Sequence, residues 1–216
     1  MARLLAAALL LLSATATALP PDRVIYLEKG GDTFEKGPPG SWEANSLDER
    51  VVKSKYFPAA EVHLQALTEG TALVILTNRV LGQAKFWQVH VGKKKPDRPD
   101  PKILKEACGC SSYPLKCQVK SQACVDSLRG FFKDSALTTD DLWLTYSVEG
   151  MQALLKDLQA RLEQDGFLGI KLAFLGANLR IKGEVADEAA WRKLLASVYR
   201  GMLGRLVLEN QVKVGE

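Results

Sequence analysis

Four cysteines crowd into one short stretch, as Cys108, Cys110, Cys117 and Cys124, and they are the only four in the 216-residue chain. What they do depends on the compartment, and the N-terminus suggests one. Residues 1–18 read Met-Ala-Arg, an apolar run from Leu4 to Leu12, and a small-residue tail ending in Ala16-Thr17-Ala18. A single positive charge, a short greasy stretch and a small-x-small site form a secretory signal peptide. The apolar run is well short of the ~20 residues that cross a bilayer. No cysteine follows the cleavage region, so the expected product is exported, soluble and not lipid-anchored. Cysteines in an oxidising compartment, in an even number, predict disulfides. Cys108 and Cys110 are too close to bridge comfortably. If Cys117 and Cys124 share a helix they stand ~10 Å apart, beyond the ~7 Å limit for a bridge. Two pairings remain: 108–124 with 110–117, or 108–117 with 110–124. The nested pair is preferred, because Tyr113-Pro114 can turn the short inner loop. A four-thiolate zinc site is the alternative, but C-x-C-x6-C-x6-C lacks the usual two C-x2–4-C pairs. The cysteines read as staples.

Upstream of them, Gly92-Lys-Lys-Lys-Pro-Asp-Arg-Pro-Asp-Pro101 divides the chain. Three closely spaced prolines cannot continue a helix or a central strand, so the segment reads as a stiff, exposed connector. The first module, 19–92, is β-rich. Strands are expected at Arg23 to Leu27, Val62 to Ala66, Thr71 to Thr77 and Phe86 to Val91. The Thr71 run is apolar enough for a central strand. Asp32 to Pro58 reads as a loop or one irregular strand. The whole suggests a small sandwich or half-barrel.

Residues 93–116 form the linker and the start of the cysteine cluster, and 117–216 the second module. Cys117 to Lys133 reads as a helix with Val125, Leu128, Phe131 and Phe132 inward, and Leu142, Leu144 and Tyr146 as a strand. Met151, Leu154, Leu155, Leu158 and Leu162 mark an amphipathic helix over 149–165, stopped by Gly166. Ile170, Leu172 and Phe174 then form a strand. Leu175 to Asn178 turns into a second strand with Leu179, Ile181 and Val185 inward. Asp187 caps a last helix carrying Trp191, Leu194, Leu195, Val198 and Met202. Leu206, Leu208, Val212 and Val214 share one parity in a closing strand. The expected order is α-β-α-β-β-α-β, and the fold class α+β.

No catalytic set is legible, and no cofactor is called for. His63 and His90, the only histidines, sit at strand positions of the parity opposite the apolar set and read as solvent-facing. Asp140-Asp141, after Thr138-Thr139, look like turn chemistry. Glu184, Asp187 and Glu188 flank a helix N-terminus, where negative charge is favoured. Gly30-Gly31 and Gly37-Pro-Pro-Gly40 lack the spacing of a phosphate loop. With 29 basic and 25 acidic residues the net charge is +4. That is too mild, and too unclustered, for a nucleic-acid partner.

Val62-His-Leu-Gln-Ala-Leu-Thr-Glu-Gly70-Thr71-Ala-Leu-Val-Ile-Leu-Thr77, with Leu81-Gly82 and the strand Lys85 to Val91, carries a resemblance. It resembles the small N-terminal domain of pilus and flagellum assembly proteins, found at the front of the secretins of tight-adherence pili. This chain has Thr68-Glu69 where that family usually carries Lys-Pro. Gly169 to Val185, with Ile181-Lys-Gly183-Glu-Val185 matching an apolar-x-Gly-x-Val pattern, resembles a BON domain. The four-cysteine insert is usual in neither family.

The resemblance implies a periplasmic scaffold or adaptor that works by protein–protein binding rather than as an enzyme. The chain stops at Glu216, before any β-rich pore domain, which implies a stand-alone relative. The implied partner is an outer-membrane secretin or another envelope assembly protein. Self-association and weak lipid contact are further partner expectations. Candidate contact residues are Phe86, Gln88 and His90 on an expected edge strand, and Arg180 and Lys182 on the hairpin face. A phospholipid-contacting protein of the envelope is the second reading, and a secreted enzyme or inhibitor the third.

Overall fold

The run from Thr71 to Thr77 carries apolar side chains at both parities, which suits a strand only when both of its faces are covered. A computed structural model, describing residues 20–132, 135–176, 178–203 and 207–215, contains both covers. The expected signal peptide at 1–18 lies outside the described residues. So do Lys133, Ala177 and Leu206, at the ends or turns of expected elements.

The first cover is a second sheet. The N-terminal strands are β1 (Arg23–Leu27), β2 (Asp32–Lys36), β3 (Glu43–Ser46), β4 (Val52–Phe57), β5 (Glu61–Ala66), β6 (Gly70–Asn78) and β7 (Gln83–Val91). They form two sheets, ordered β1-β7-β6-β3 and β2-β5-β4. β1 runs parallel to β7, and every other pairing is antiparallel. Alternate residues meet between the sheets: Val62, Leu64 and Ala66 from β5 against Ala72, Val74, Leu76, Trp87, Val89 and Val91 from β6 and β7. A sandwich was expected, but with three or four strands. The stretch 32–58 supplies three more, β2, β3 and β4, where a loop or one irregular strand was expected.

The second cover comes from the far end of the chain. The C-terminal half runs α1 (Lys102–Cys108), β8 (Leu115–Val119), α2 (Gln122–Phe132), β9 (Leu142–Tyr146), α3 (Val148–Gln164), β10 (Lys171–Leu175), β11 (Asn178–Val185), α4 (Glu188–Gly201) and β12 (Val207–Val214). One edge of α4 packs Leu194 and Val198 into the core of this half. Its other edge packs Trp191, Leu195, Ala196 and Tyr199 onto Ile75 and Phe86 of the sandwich. Such a wide apolar arc marks a helix buried on several sides. The connector is exposed at 92–98, as its prolines and charges require. The two halves it joins nevertheless share a buried junction.

Within the C-terminal half, β8 and β9 pair in parallel, and β10-β11-β12 form a three-stranded sheet. The expected strand–helix order holds from α2 onward. Two elements precede it. Cys117 lies on β8 and not on a helix, and α1 occupies part of the expected linker. Helix stops and starts follow local chemistry. The Asp187 carboxylate accepts from the Ala190 N–H, and Ser147 Oγ accepts from the Gly150 N–H. Gly166 turns the chain after α3 with φ +89°. At Gly183, φ is +152°, and an added Cβ would meet Gly169 O at 2.8 Å, so this strand position needs the bare backbone.

The cysteines form two disulfides, Cys108–Cys124 joining α1 to α2 and Cys110–Cys117 tying the α1 turn to β8. This is the nested pairing, and all four residues are buried. By loop-closure entropy the bridges spanning 16 and 7 residues are worth about 3 and 2 kcal/mol. No helix among the described residues is long and apolar enough to cross a membrane.

Candidate functional site

The outer face of the β2-β5-β4 sheet gathers aromatic and charged side chains. Alternation sends Val62, Leu64 and Ala66 of β5 inward and Glu61, His63 and Gln65 outward. Register then sets Phe34 of β2 beside His63, and Lys55 of β4 on the other side of the same histidine. The Phe34 and His63 rings stack with centroids 4.6 Å apart. Phe57 lies 6.0 Å from Phe34, and the Lys55 ammonium sits 5.1 Å from the Phe57 centroid. Such cross-strand pairs steady the face by a few tenths to about 1 kcal/mol each. Even so, Phe34 is 57% exposed. An exposed aromatic ring held in place by its neighbours is a ready-made contact.

β2 is also an edge strand. Among the described residues, its outer edge receives one recorded hydrogen bond, from Arg23 Nη1 to the Lys36 carbonyl at 3.1 Å. The rest of that edge can pair with another chain.

The histidines have partners that sequence reasoning did not see. His63 Nε2 donates to Asp32 Oδ2 at 3.1 Å, 31 positions away in the chain. No hydroxyl or thiol among the described residues hydrogen-bonds His63, so the pair positions a ring and activates no recorded nucleophile. His90 Nδ1 lies 3.0 Å from Thr71 Oγ1, and its ring stacks on Tyr26 at 4.9 Å. Burial, aided by the nearby Lys93 ammonium, lowers its pKa to about 4. His90 is half-buried, not solvent-facing. Among the described residues no three His, Cys, Asp or Glu side chains gather to hold a metal ion.

The expected contact residues fall elsewhere. β7 is no edge: it lies between β1 and β6 with both backbone edges paired. Phe86 is 6% exposed, stacked on Tyr199 with centroids 4.0 Å apart and planes 7° from parallel. It belongs to the junction, because its parity faces α4 where solvent was expected. Gln88 is half-buried on the same side of the strand. Thus Phe86, Gln88 and His90 offer no edge for strand addition. Arg180 and Lys182 do lie on the open face of the β10-β11-β12 sheet, on its central strand. Arg180 is engaged, donating through Nε and Nη2 to Glu209 Oε2 at 3.2 and 3.1 Å. Bonds from Asn178 and then Arg180 hold the Glu209 carboxyl below its usual pKa. Lys182 is exposed, opposite Lys171. The structure does not join this pair to the Phe34 face. Phe34, Phe57, Lys55 and Asp32 were all missed, and the available signal was a phenylalanine inside the polar alternation Asp-Thr-Phe-Glu-Lys.

No family model matches the chain, and no curated protein matches it.

Proposed function

We propose that the chain is a non-enzymatic adaptor of the periplasm, which binds a secretin or another envelope assembly protein through β2 and the outer face of its sheet. The observation that carries this reading is the Phe34 ring, exposed on an edge strand and braced by His63. An incoming strand can take up the backbone groups of β2 while an apolar side chain covers Phe34 and Phe57, the pattern of strand addition with side-chain pockets. Lys36, Lys53 and Lys55 outnumber Asp32 and Glu61 on the same face and favour an acidic flank on the partner. Two buried disulfides are compatible with an oxidising compartment. The resemblance of Val62 to Val91 to the N-terminal domain of secretins supports the choice of partner class.

The test uses the purified mature chain and the periplasmic portion of the secretin encoded nearest its gene. Removing a central aromatic anchor costs about 2 kcal/mol or more, roughly thirtyfold in Kd. Phe34→Ser is expected to weaken binding by that order, and Lys182→Ser to leave it unchanged. Equal binding by wild type and Phe34→Ser refutes the assignment.

A further inference from the structure

A second surface carries its own chemistry, independent of the adaptor reading. The end of α3 and one face of α4 enclose a cleft of about 230 Å³, closed on the third side by Leu47 from the turn between β3 and β4. α4 contributes Lys193, Ala196 and Arg200, at helical spacing on one face, and the chain after α3 contributes Asp165 and Phe167. Asp165 is already engaged: Ser197 Oγ donates to its Oδ2 at 2.5 Å.

The charges here do not balance. Arg200 is half-buried, with Asp165 and Arg161 both near enough to act on it. Burial pulls its pKa down, Asp165 partly restores it, and the like charge of Arg161 lowers it again. Arg161 Nε is buried and has no hydrogen-bond partner among the described residues. Gly201 lets α4 approach α3 closely here, since a Cβ there would lie 2.4 Å from Leu158 Cδ2, with Arg161 Cδ and Nε next at 3.4 Å. Lys193 and Arg200 line the cleft with Asp165 as its one lining carboxylate, and Arg161 lies near enough to Arg200 to add a third positive charge. Half-buried guanidiniums held beside each other with one nearby carboxylate leave a net positive charge that a bound anion would neutralise. Guanidinium forks match tetrahedral oxyanions in geometry, and a phosphate group carries about −1.5 to −2 charge at neutral pH. The cleft is smaller than the ~300–1,000 Å³ of drug-sized pockets, so it suits a phosphate group on a short substituent.

We propose that this cleft is a phosphate-binding site, with Arg200 and Lys193 holding the oxyanion and Arg161 supplying charge behind them. The phosphate can come from a free phosphate or phosphate monoester, or from the headgroup of an anionic phospholipid. Two arms separate these sources. Calorimetric titration of the mature chain with inorganic phosphate, against chloride at equal ionic strength, reads the free anion. Co-flotation with phosphatidylglycerol vesicles, against phosphatidylcholine vesicles, reads the headgroup. Saturable binding in either arm, weakened about tenfold or more by Arg200→Gln and unchanged by Arg180→Gln, supports the site and names its source. If Arg200→Gln does not fold, Lys193→Glu replaces it, since Lys193 is exposed; the same loss is expected. No binding in either arm, or binding that these cleft variants leave intact, overturns the proposal.

Discussion

Phe86→Ala separates the two pictures of β7 by several kcal/mol. If β7 were an edge with Phe86 facing water, truncating the ring would change stability by no more than about 0.5 kcal/mol. In the structure the ring is 6% exposed, stacked on Tyr199 and packed with Ile75, Trp191 and Leu195. Deleting a buried phenylalanine ring costs about 3–5 kcal/mol, through lost transfer energy and the cavity left behind. The upper part of that range is expected, because β6 and α4 are each held by other contacts and cannot close the gap. The cost is a large share of the ~5–15 kcal/mol that stabilises an ordinary fold. Urea unfolding followed by tryptophan fluorescence reads it directly, since Trp191 lies in the same cluster. Combining the change with Tyr199→Leu in a double-mutant cycle should show a coupling of about 0.5–1.5 kcal/mol from the stacked rings. A single-variant loss under about 1 kcal/mol, with no coupling, would refute the buried junction.

Other consequences follow from particular residues. Gly183→Ala should destabilise by more than about 1 kcal/mol, since its Cβ would meet Ile170 Cδ1 at 2.7 Å at a strained positive φ. Gly130→Ala in α2, where an added Cβ meets nothing within 4 Å, should stabilise by about 0.5–1 kcal/mol; thermal melts compare the two. His90 has a folded pKa of about 4, below its unfolded value near 6.5. Its contribution to stability is therefore full above pH ~6.5 and lost as pH falls toward 4, by about 1 kcal/mol once screening at this half-exposed site is allowed for. His90→Gln should flatten that part of the stability–pH curve. Replacing Cys108 and Cys124 together by alanine should cost about 3 kcal/mol, and Cys110 with Cys117 about 2, as read from urea midpoints. Peptide mapping without reductant should recover the 108–124 and 110–117 pairs.

The sequence was most informative where one face of an element meets a core and the other meets water. α3, β10, β11 and α4 announce themselves by spacing, and Asp187 and Gly166 mark the ends of helices. It was least informative in two settings. β2, β3 and β4 are short, and β2 turns Thr33 and Glu35 inward with Phe34 outward, so hydrophobic alternation does not distinguish them from loop. Phe86 failed for the opposite reason. Parity assigns one face of a strand to solvent, but the β1-β7-β6-β3 sheet is covered on one face by the second sheet and on the other by α4. Leu73 and Ile75, apolar on the supposedly open face of β6, were the clue that a second layer had to arrive. The Phe34 face left only a faint signal, because Asp32, Phe34 and Lys55 reach His63 through β2 and β4, which were not themselves evident.

Amide hydrogen exchange on residues 19–216, alone and with the periplasmic part of the proposed secretin partner, tests the adaptor assignment most directly. The account predicts slowed exchange at Asp32–Lys36, where a partner strand would pair with β2, and little change across β10 and β11. Protection confined to the β10-β11-β12 sheet, or none at β2 in a complex shown to form, would contradict it.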